Sequence, residues 1–120
     1  ESFTSFLPAI SKKSAQEVRD KIKAWDLYRF QQFKLPVIAK MKNPIIAGWV
    51  NYYGKFGRTE FLKVMNYLNK TIARWAKKKF KGLKVGKGRS IYWLADVAQK
   101  NRTLFYHWKQ GFIPYQRSCQ

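Results

Sequence analysis

The residues of this chain whose types and spacing could do chemistry are cations. Between Lys70 and Arg89 stand Lys70, Arg74, Lys77, Lys78, Lys79, Lys81, Lys84, Lys87 and Arg89, with no acid among them. Like charges at i, i+4 repel, so an ordinary solvated helix face mixes signs. A single-sign segment of this density reads instead as a surface for phosphates. Such a surface supplies affinity without sequence choice. If about six of these charges met phosphates, binding would fall on the order of a thousandfold between 50 and 200 mM salt.

Aromatic residues form the second group. In Asn43 to Phe56, NPIIAGWVNYYGKF, the side chains of Ile45, Ile46, Trp49, Tyr52, Tyr53 and Phe56 fall at helical spacings. Neighbours on a helix are about 100° apart, so Tyr52 and Tyr53 cannot both face inward and one is expected in solvent. An exposed tyrosine beside Lys55 and Arg58 could stack on an unpaired base, an interaction of roughly 1 to 3 kcal/mol, or could serve amphipathic packing alone. Gly48 interrupts this helix at a cost of roughly 1 kcal/mol against alanine, which suggests that another backbone, of protein or nucleic acid, comes close there.

Catalytic chemistry finds little support. His107 is the lone histidine, has no acid near it in sequence, and reads as a packed or surface residue. One His, one Cys and six scattered carboxylates give no metal-ligand spacing. The Gly-Lys pairs of VGKGRS lack the G-x-x-x-x-G-K-[ST] phosphate-loop spacing. No active site, metal or cofactor is expected in these residues.

Composition bounds the rest. The chain has 120 residues, 46% of them hydrophobic, which suits one domain with one modest core. Its 25 Lys and Arg against 6 Asp and Glu leave a net charge of +19, and a polyanionic partner would relieve that self-repulsion. Nucleic acid is the first candidate and an anionic membrane surface the second, but no apolar run approaches the roughly 20 residues that span a bilayer. The opening Glu1-Ser2 suggests a piece of a longer chain, and the single cysteine, Cys119, fits a reducing compartment and has no assigned role.

These groups must be positioned by helices, and the periodicity predicts an all-α bundle of three to four. Residues 1 to 13 read as an extended arm, resting on an upstream part or along the bundle; 14 to 115 form the helical domain, and 116 to 120 a tail. Ser14 and Glu17 make a capping box for a first helix running to about Gln32, with Val18, Ile22, Trp25 and Phe30 inward. A short helical turn over Leu35 to Met41 precedes a second helix capped by Asn43, with Pro44 at its first position. The third spans about Thr59 to Phe80, with Thr59 as N-cap, Phe61, Val64, Met65, Leu68, Ile72 and Trp75 on its apolar stripe, and cations in its last half, where the dipole favours them. Trp25, Trp49, Phe61 and Trp75 are expected inside. The glycine-rich Lys81 to Gly88 reads as a connector. Ser90 to Lys100 forms a fourth helix with Ile91, Leu94, Val97 and Ala98 inward, and Thr103 to Gly111 is aromatic without clear period.

Taken together, NPIIAGWVNYYGKF (43 to 56) and LNKTIARWAKKKFK (68 to 81) resemble the Asn-Pro, Gly-Trp, Tyr-Tyr and Arg-Trp-plus-basic blocks of a known family: the maturase-specific domain, or thumb, of bacterial group II intron-encoded reverse transcriptases. SFLPAISKKSAQEVRDKIKAW (5 to 25) and LFYHW (104 to 108) are similar to its members too. The resemblance implies a helical domain that follows the polymerase fingers and palm, binds the intron RNA, promotes its splicing and helps hold the template-primer duplex. Its partners would be group II intron RNA, an RNA/DNA template-primer and the upstream polymerase domain of the same chain, with no membrane. It would work in the bacterial cytoplasm, at or near the nucleoid. No Tyr-x-Asp-Asp motif of a palm occurs, so no enzymatic activity is expected of this part alone.

Within that frame Lys70, Arg74, Lys77, Lys78, Lys79 and Lys81 are the expected contacts to backbone phosphates, and Tyr53, Lys55 and Arg58 those nearer the bases or 2′-hydroxyls. Asn51 could bond RNA or a helix end. A thumb that grips primer-template without selecting intron RNA is a competing reading. A basic DNA-binding module for target-site recognition is another, ranked last because no turn-linked recognition-helix pair is evident.

Overall fold

A computed structural model describes residues 11 to 54, 58 to 80, 82 and 89 to 114. Of the arm expected over residues 1 to 13, residues 1 to 10 lie outside them, as do the connector apart from its Gly82 and the tail, while Lys12 and Lys13 are helical rather than extended. Helices α1 (Lys12–Trp25), α2 (Leu35–Tyr53), α3 (Arg58–Lys79), α4 (Arg89–Lys100) and α5 (Tyr106–Lys109) are joined to a 3-10 turn at Leu27–Arg29. The fold is all-α, as the periodicity predicts. No described helix is long and apolar enough to cross a membrane.

The central helix is α3, which packs against α1, the 3-10 turn and α4, while α2 packs on α5. Phe61, Val64, Met65, Leu68, Ile72, Ala73, Trp75 and Ala76 are all buried along it. At 100° per residue these side chains span one broad half of the cylinder, so the helix forms because burying that half stabilises it. Leu94, Ala95 and Ala98 close the core from α4, as expected of Leu94 and Ala98. Thr59 lies inside α3 rather than capping it, and α4 begins one residue before Ser90.

The first helix starts and stops elsewhere than the capping pattern predicts. Ser11, not Ser14, is the N-cap, and its hydroxyl accepts from the Ser14 backbone N–H at 3.0 Å. The helix ends at Trp25, because Asp26 adopts a left-handed conformation (φ 54°, ψ 49°) and donates its backbone N–H to the Lys23 carbonyl. Aspartate visits that region more readily than most residues. The chain then turns through Leu27–Arg29, with Leu27 in the core.

The Asn-Pro pair departs most from expectation. Pro44 sits inside one continuous helix from Leu35 to Tyr53, and Asn43 does not cap it. An internal proline costs about 3 kcal/mol because it gives no N–H to the carbonyl four residues back and crowds it. The buried stripe Leu35, Ile38, Ala39, Ile46 and Val50 runs on both sides of it, which offsets that cost. Asn43 instead reaches across to the C-terminal segment: its Nδ2 donates to the Leu104 carbonyl at 3.0 Å and its Oδ1 accepts from the Tyr106 N–H at 2.8 Å. Both are backbone groups at the entry to α5, where the first N–H groups of a helix have no intrahelical partner.

Asn69 holds the other side of the same segment. Its Nδ2 donates to the Phe112 carbonyl at 3.2 Å, and its Oδ1 lies 2.9 Å from Trp108 Nε1 and 2.7 Å from His107 Nε2. An indole N–H only donates, so the atom facing it is the amide oxygen, and His107 must then carry its proton on Nε2. His107 Nδ1 is buried without a partner among the described residues. Burial pushes the His107 pKa down to about 3, since a second ring proton would have no acceptor there. Of the packed and surface readings its sequence setting allows, His107 is the packed one. Gly111 (φ 100°) allows the turn that returns Phe112 to the core.

Two consequences are measurable. Replacing Asn43 by alanine should lower urea-unfolding stability by about 1 to 3 kcal/mol while leaving helical circular dichroism intact, because it removes a clamp and not a cap. His107 takes up a proton below about pH 6.5 when unfolded but not until about pH 3 when folded. Stability should therefore fall with decreasing pH across that window, by about 1.4 kcal/mol per pH unit from this group. His107→Gln should lose that share of the slope, read from urea midpoints between pH 7 and 4.

Candidate nucleic-acid interface

Helix α3 divides its cations by angle. Taking Lys70 as the origin, Arg74, Lys77 and Lys78 fall within an arc of about 100°, and Lys79 lies about 180° away. The arc faces solvent: Lys70, Arg74, Lys77 and Lys78 are all exposed. Lys79 points along the buried side and is half-buried. Its ammonium donates to the Gln31 carbonyl at 2.6 Å and the Phe33 carbonyl at 3.1 Å, which ties it to the fold and sets it apart from the exposed row.

No described ion pair neutralises the exposed row. Three of the acids pair locally, Asp26 with Arg29 at 3.6 Å, Glu60 with Lys63 at 3.3 Å and Asp96 with Lys100 at 3.1 Å. Each is solvent-exposed and contributes little stability. Lys70, Arg74 and Lys77 line one open cavity of about 320 Å³ with Ser90 and Ile91. Arg74, Lys77 and Lys78 line another of about 670 Å³ with Tyr28. The row is thus continuous from the start of α4 to the turn after α1.

The bonds that hold this turn against α3 explain its position. Trp75 Nε1 donates to the Phe30 carbonyl at 2.8 Å, and Gln31 Nε2 donates to the Tyr28 carbonyl at 2.9 Å and lies 3.4 Å from the Trp75 carbonyl. With Lys79 on the carbonyls of Gln31 and Phe33, residues 28 to 33 are fastened to the C-terminal end of α3. Lys78 then lies over the Tyr28 ring, 4.2 Å from its centroid. Tyr28 has no sequence signal of its own, because the apolar spacing that predicts the first helix runs on through it to Phe30; Asp26 before Leu27 is the one available cue.

The second expected group sits elsewhere. Arg58, where α3 begins, is about 24 Å along the helix from Arg74 at 1.5 Å per residue. Lys55, Lys81 and the Arg58 side chain lie outside the described residues. Of the tyrosine pair the exposed ring is Tyr52, at 65%, while Tyr53 is half-buried with its ring 6.3 Å from that of Phe61. Asn51 Oδ1 accepts from the Tyr106 hydroxyl at 3.2 Å. Gly48 has no described atom within 4 Å of where a Cβ would stand, so the expected protein backbone is absent there among the described residues.

Phe61 and Trp75 are buried as expected, but Trp25 and Trp49 are half-exposed partners, stacked at 5.4 Å and 16° where α1 meets α2. Lys42 lies 4.8 Å over Trp25, and burial lowers its pKa. Among the described residues no group of three or more His, Cys, Asp or Glu could hold a metal.

Helix α3 thus buries one half in the core and carries on the other the row Lys70, Arg74, Lys77 and Lys78, with no ion pair to it among the described residues. The group II intron, maturase-specific domain family model matches residues 15 to 93, from α1 into α4, and the chain belongs to that family. Domains of this family generally bind RNA and serve group II intron maturation and splicing. Neither a curated protein nor a solved structure matched the chain.

The division of cations gives a test. Arg74→Gln with Lys77→Gln should weaken binding to any RNA and reduce the slope of log affinity against log salt by about 0.7 to 0.9 for each phosphate no longer neutralised. Lys79→Met should leave that slope unchanged and instead lower the thermal midpoint.

Proposed function

We propose that this domain binds group II intron RNA through the exposed row Lys70, Arg74, Lys77 and Lys78, and that it also acts as the thumb of a reverse transcriptase, holding template-primer beside an upstream polymerase domain of the same chain. The observation that carries the reading is that row: single in sign, free of described ion pairs and set on a helix fixed by its buried half. Its place of work would be the bacterial cytoplasm.

RNA helices repel as they dock, because their phosphates approach. Fixed cations lower that repulsion for one arrangement of the strands more than for others. Binding free energy then becomes RNA folding free energy, and splicing follows from the RNA's own active fold. A flexible lysine cluster would bind as tightly to misfolded RNA. The duplex in the thumb presents the same chemistry, two phosphate backbones, so one surface can serve either task. Lys55, Arg58 and Lys81 extend the reading as further cations.

The experiment compares the chain's affinity for a group II intron RNA with that for unrelated RNA of equal length at physiological salt. A preference for the intron of at least tenfold is the expected outcome. Equal affinities would overturn the splicing role and leave a general grip. Charge reversal at Lys77 and Lys78 in a parent enzyme separates the two tasks: loss of processive DNA synthesis with splicing intact would favour the thumb alone.

A further inference from the structure

The open cavity of about 670 Å³ at the end of the cationic row contains an aromatic ring that phosphate binding alone does not use. Tyr28 is 47% exposed, although it is a large ring on a turn otherwise fastened to α3 by the Phe30, Gln31 and Phe33 carbonyls. It also lines an adjoining cavity of about 220 Å³ with Asp26, Thr71 and Arg74. Arg74 is therefore shared by both hollows and Tyr28 stands between them. A ring kept in solvent by a rigid turn, next to Arg74, Lys77 and Lys78, matches what an unpaired nucleotide presents: a flat face and a phosphate.

We propose that Tyr28 is a stacking platform for an unpaired nucleotide of the bound RNA, with Arg74 and Lys77 receiving its phosphate. The proposal rests on the reading of the α3 row as a phosphate surface. The Lys78 ammonium, 4.2 Å from the centroid, occupies the ring in the free protein. It is the far end of a flexible side chain at an exposed site, where such an interaction is weak. When a base takes its place on the ring, the ammonium moves to a phosphate, so the exchange keeps the cation paired and gives the ring a larger partner. Stacking tolerates any base, since each has a π-face, and the site selects for unpaired over paired strands and not for sequence. This would direct the domain to loops, bulges and junctions of a folded RNA.

The test uses the full chain with two probes of equal phosphate number, a single-stranded RNA oligonucleotide and a blunt RNA duplex, at physiological salt. Tyr28→Leu keeps an apolar side chain and removes the π-face; Tyr28→Phe keeps the face and removes the hydroxyl. Tyr28→Leu should weaken single-strand binding roughly tenfold and leave duplex binding within twofold, with the salt slope unchanged, and Tyr28→Phe should bind as the parent does. Equal losses on both probes, or no loss on either with the parent's thermal midpoint retained, would overturn the platform. Arg74→Gln with Lys77→Gln reports on the underlying reading separately. If that pair leaves both affinities unchanged, the phosphate surface itself is refuted, whatever Tyr28 does.

Discussion

Like charges gathered on one helix repel, and this fold tolerates them because that helix is also its centre. The other half of α3 is buried from Phe61 to Ala76, so the apolar packing there holds a row of cations that would destabilise an isolated helix. The placement of the row in the C-terminal half adds to this, since the partial negative charge of that end favours cations. Core and cationic row are therefore two sides of one element. A loosening of the packing under Trp75 would disturb the cations at once, without any change in their chemistry.

Polar groups in and beside the core then select one arrangement of the bundle. Asn43 and Asn69, on different helices, each give both a donor and an acceptor to the segment from Leu104 to Phe112. Hydrophobic attraction is nondirectional and would accept several seatings of so aromatic a segment. Amide geometry accepts one, because a slipped segment would leave buried donors unpaired at about 1 to 3 kcal/mol each. Lys79 does the same for the turn after α1, where its ammonium meets two backbone carbonyls. A residue counted as interface by its charge is in this way part of what keeps Tyr28 beside Lys78.

How much is legible in the sequence follows from how local each determinant is. The cores of α3 and α4 are readable because 3.6-residue periodicity reports burial directly, and Phe61, Trp75, Leu94 and Ala98 are buried as the pattern implies. The separation of Lys79 from Lys70 and Arg74 is readable in principle too, since angle on a helix follows from number alone. The Asn-Pro pair is not. As a local signal it marks a helix start, but the apolar stripe before Pro44 and the partners waiting at Leu104 and Tyr106 outweigh it, and those partners are some sixty residues away. The stop of α1 depends on one aspartate taking a left-handed conformation, a weaker cue than glycine. Trp25 and Trp49 sit on apolar stripes yet stay half-exposed, because stacking on one another takes the place of burial.

For the proposed role, rigidity matters more than charge. A polyanion is bound by any cluster of lysines, and each flexible side chain adapts to whatever phosphate spacing it meets, so such a cluster favours no RNA fold over another. Discrimination requires that the backbone carrying the cations resist displacement when the wrong spacing is offered. Here the backbone under Arg74 to Lys78 is a helix interior, with Trp75 and Ala76 buried within the row's own span and bonds from Trp75 and Lys79 to a second element. Moving these cations to suit a misfolded RNA would mean moving the core. The cost of that movement sets an upper limit on how far the bound RNA can depart from the arrangement the surface fits, and the same limit makes a thumb a firm grip rather than an adhesive one.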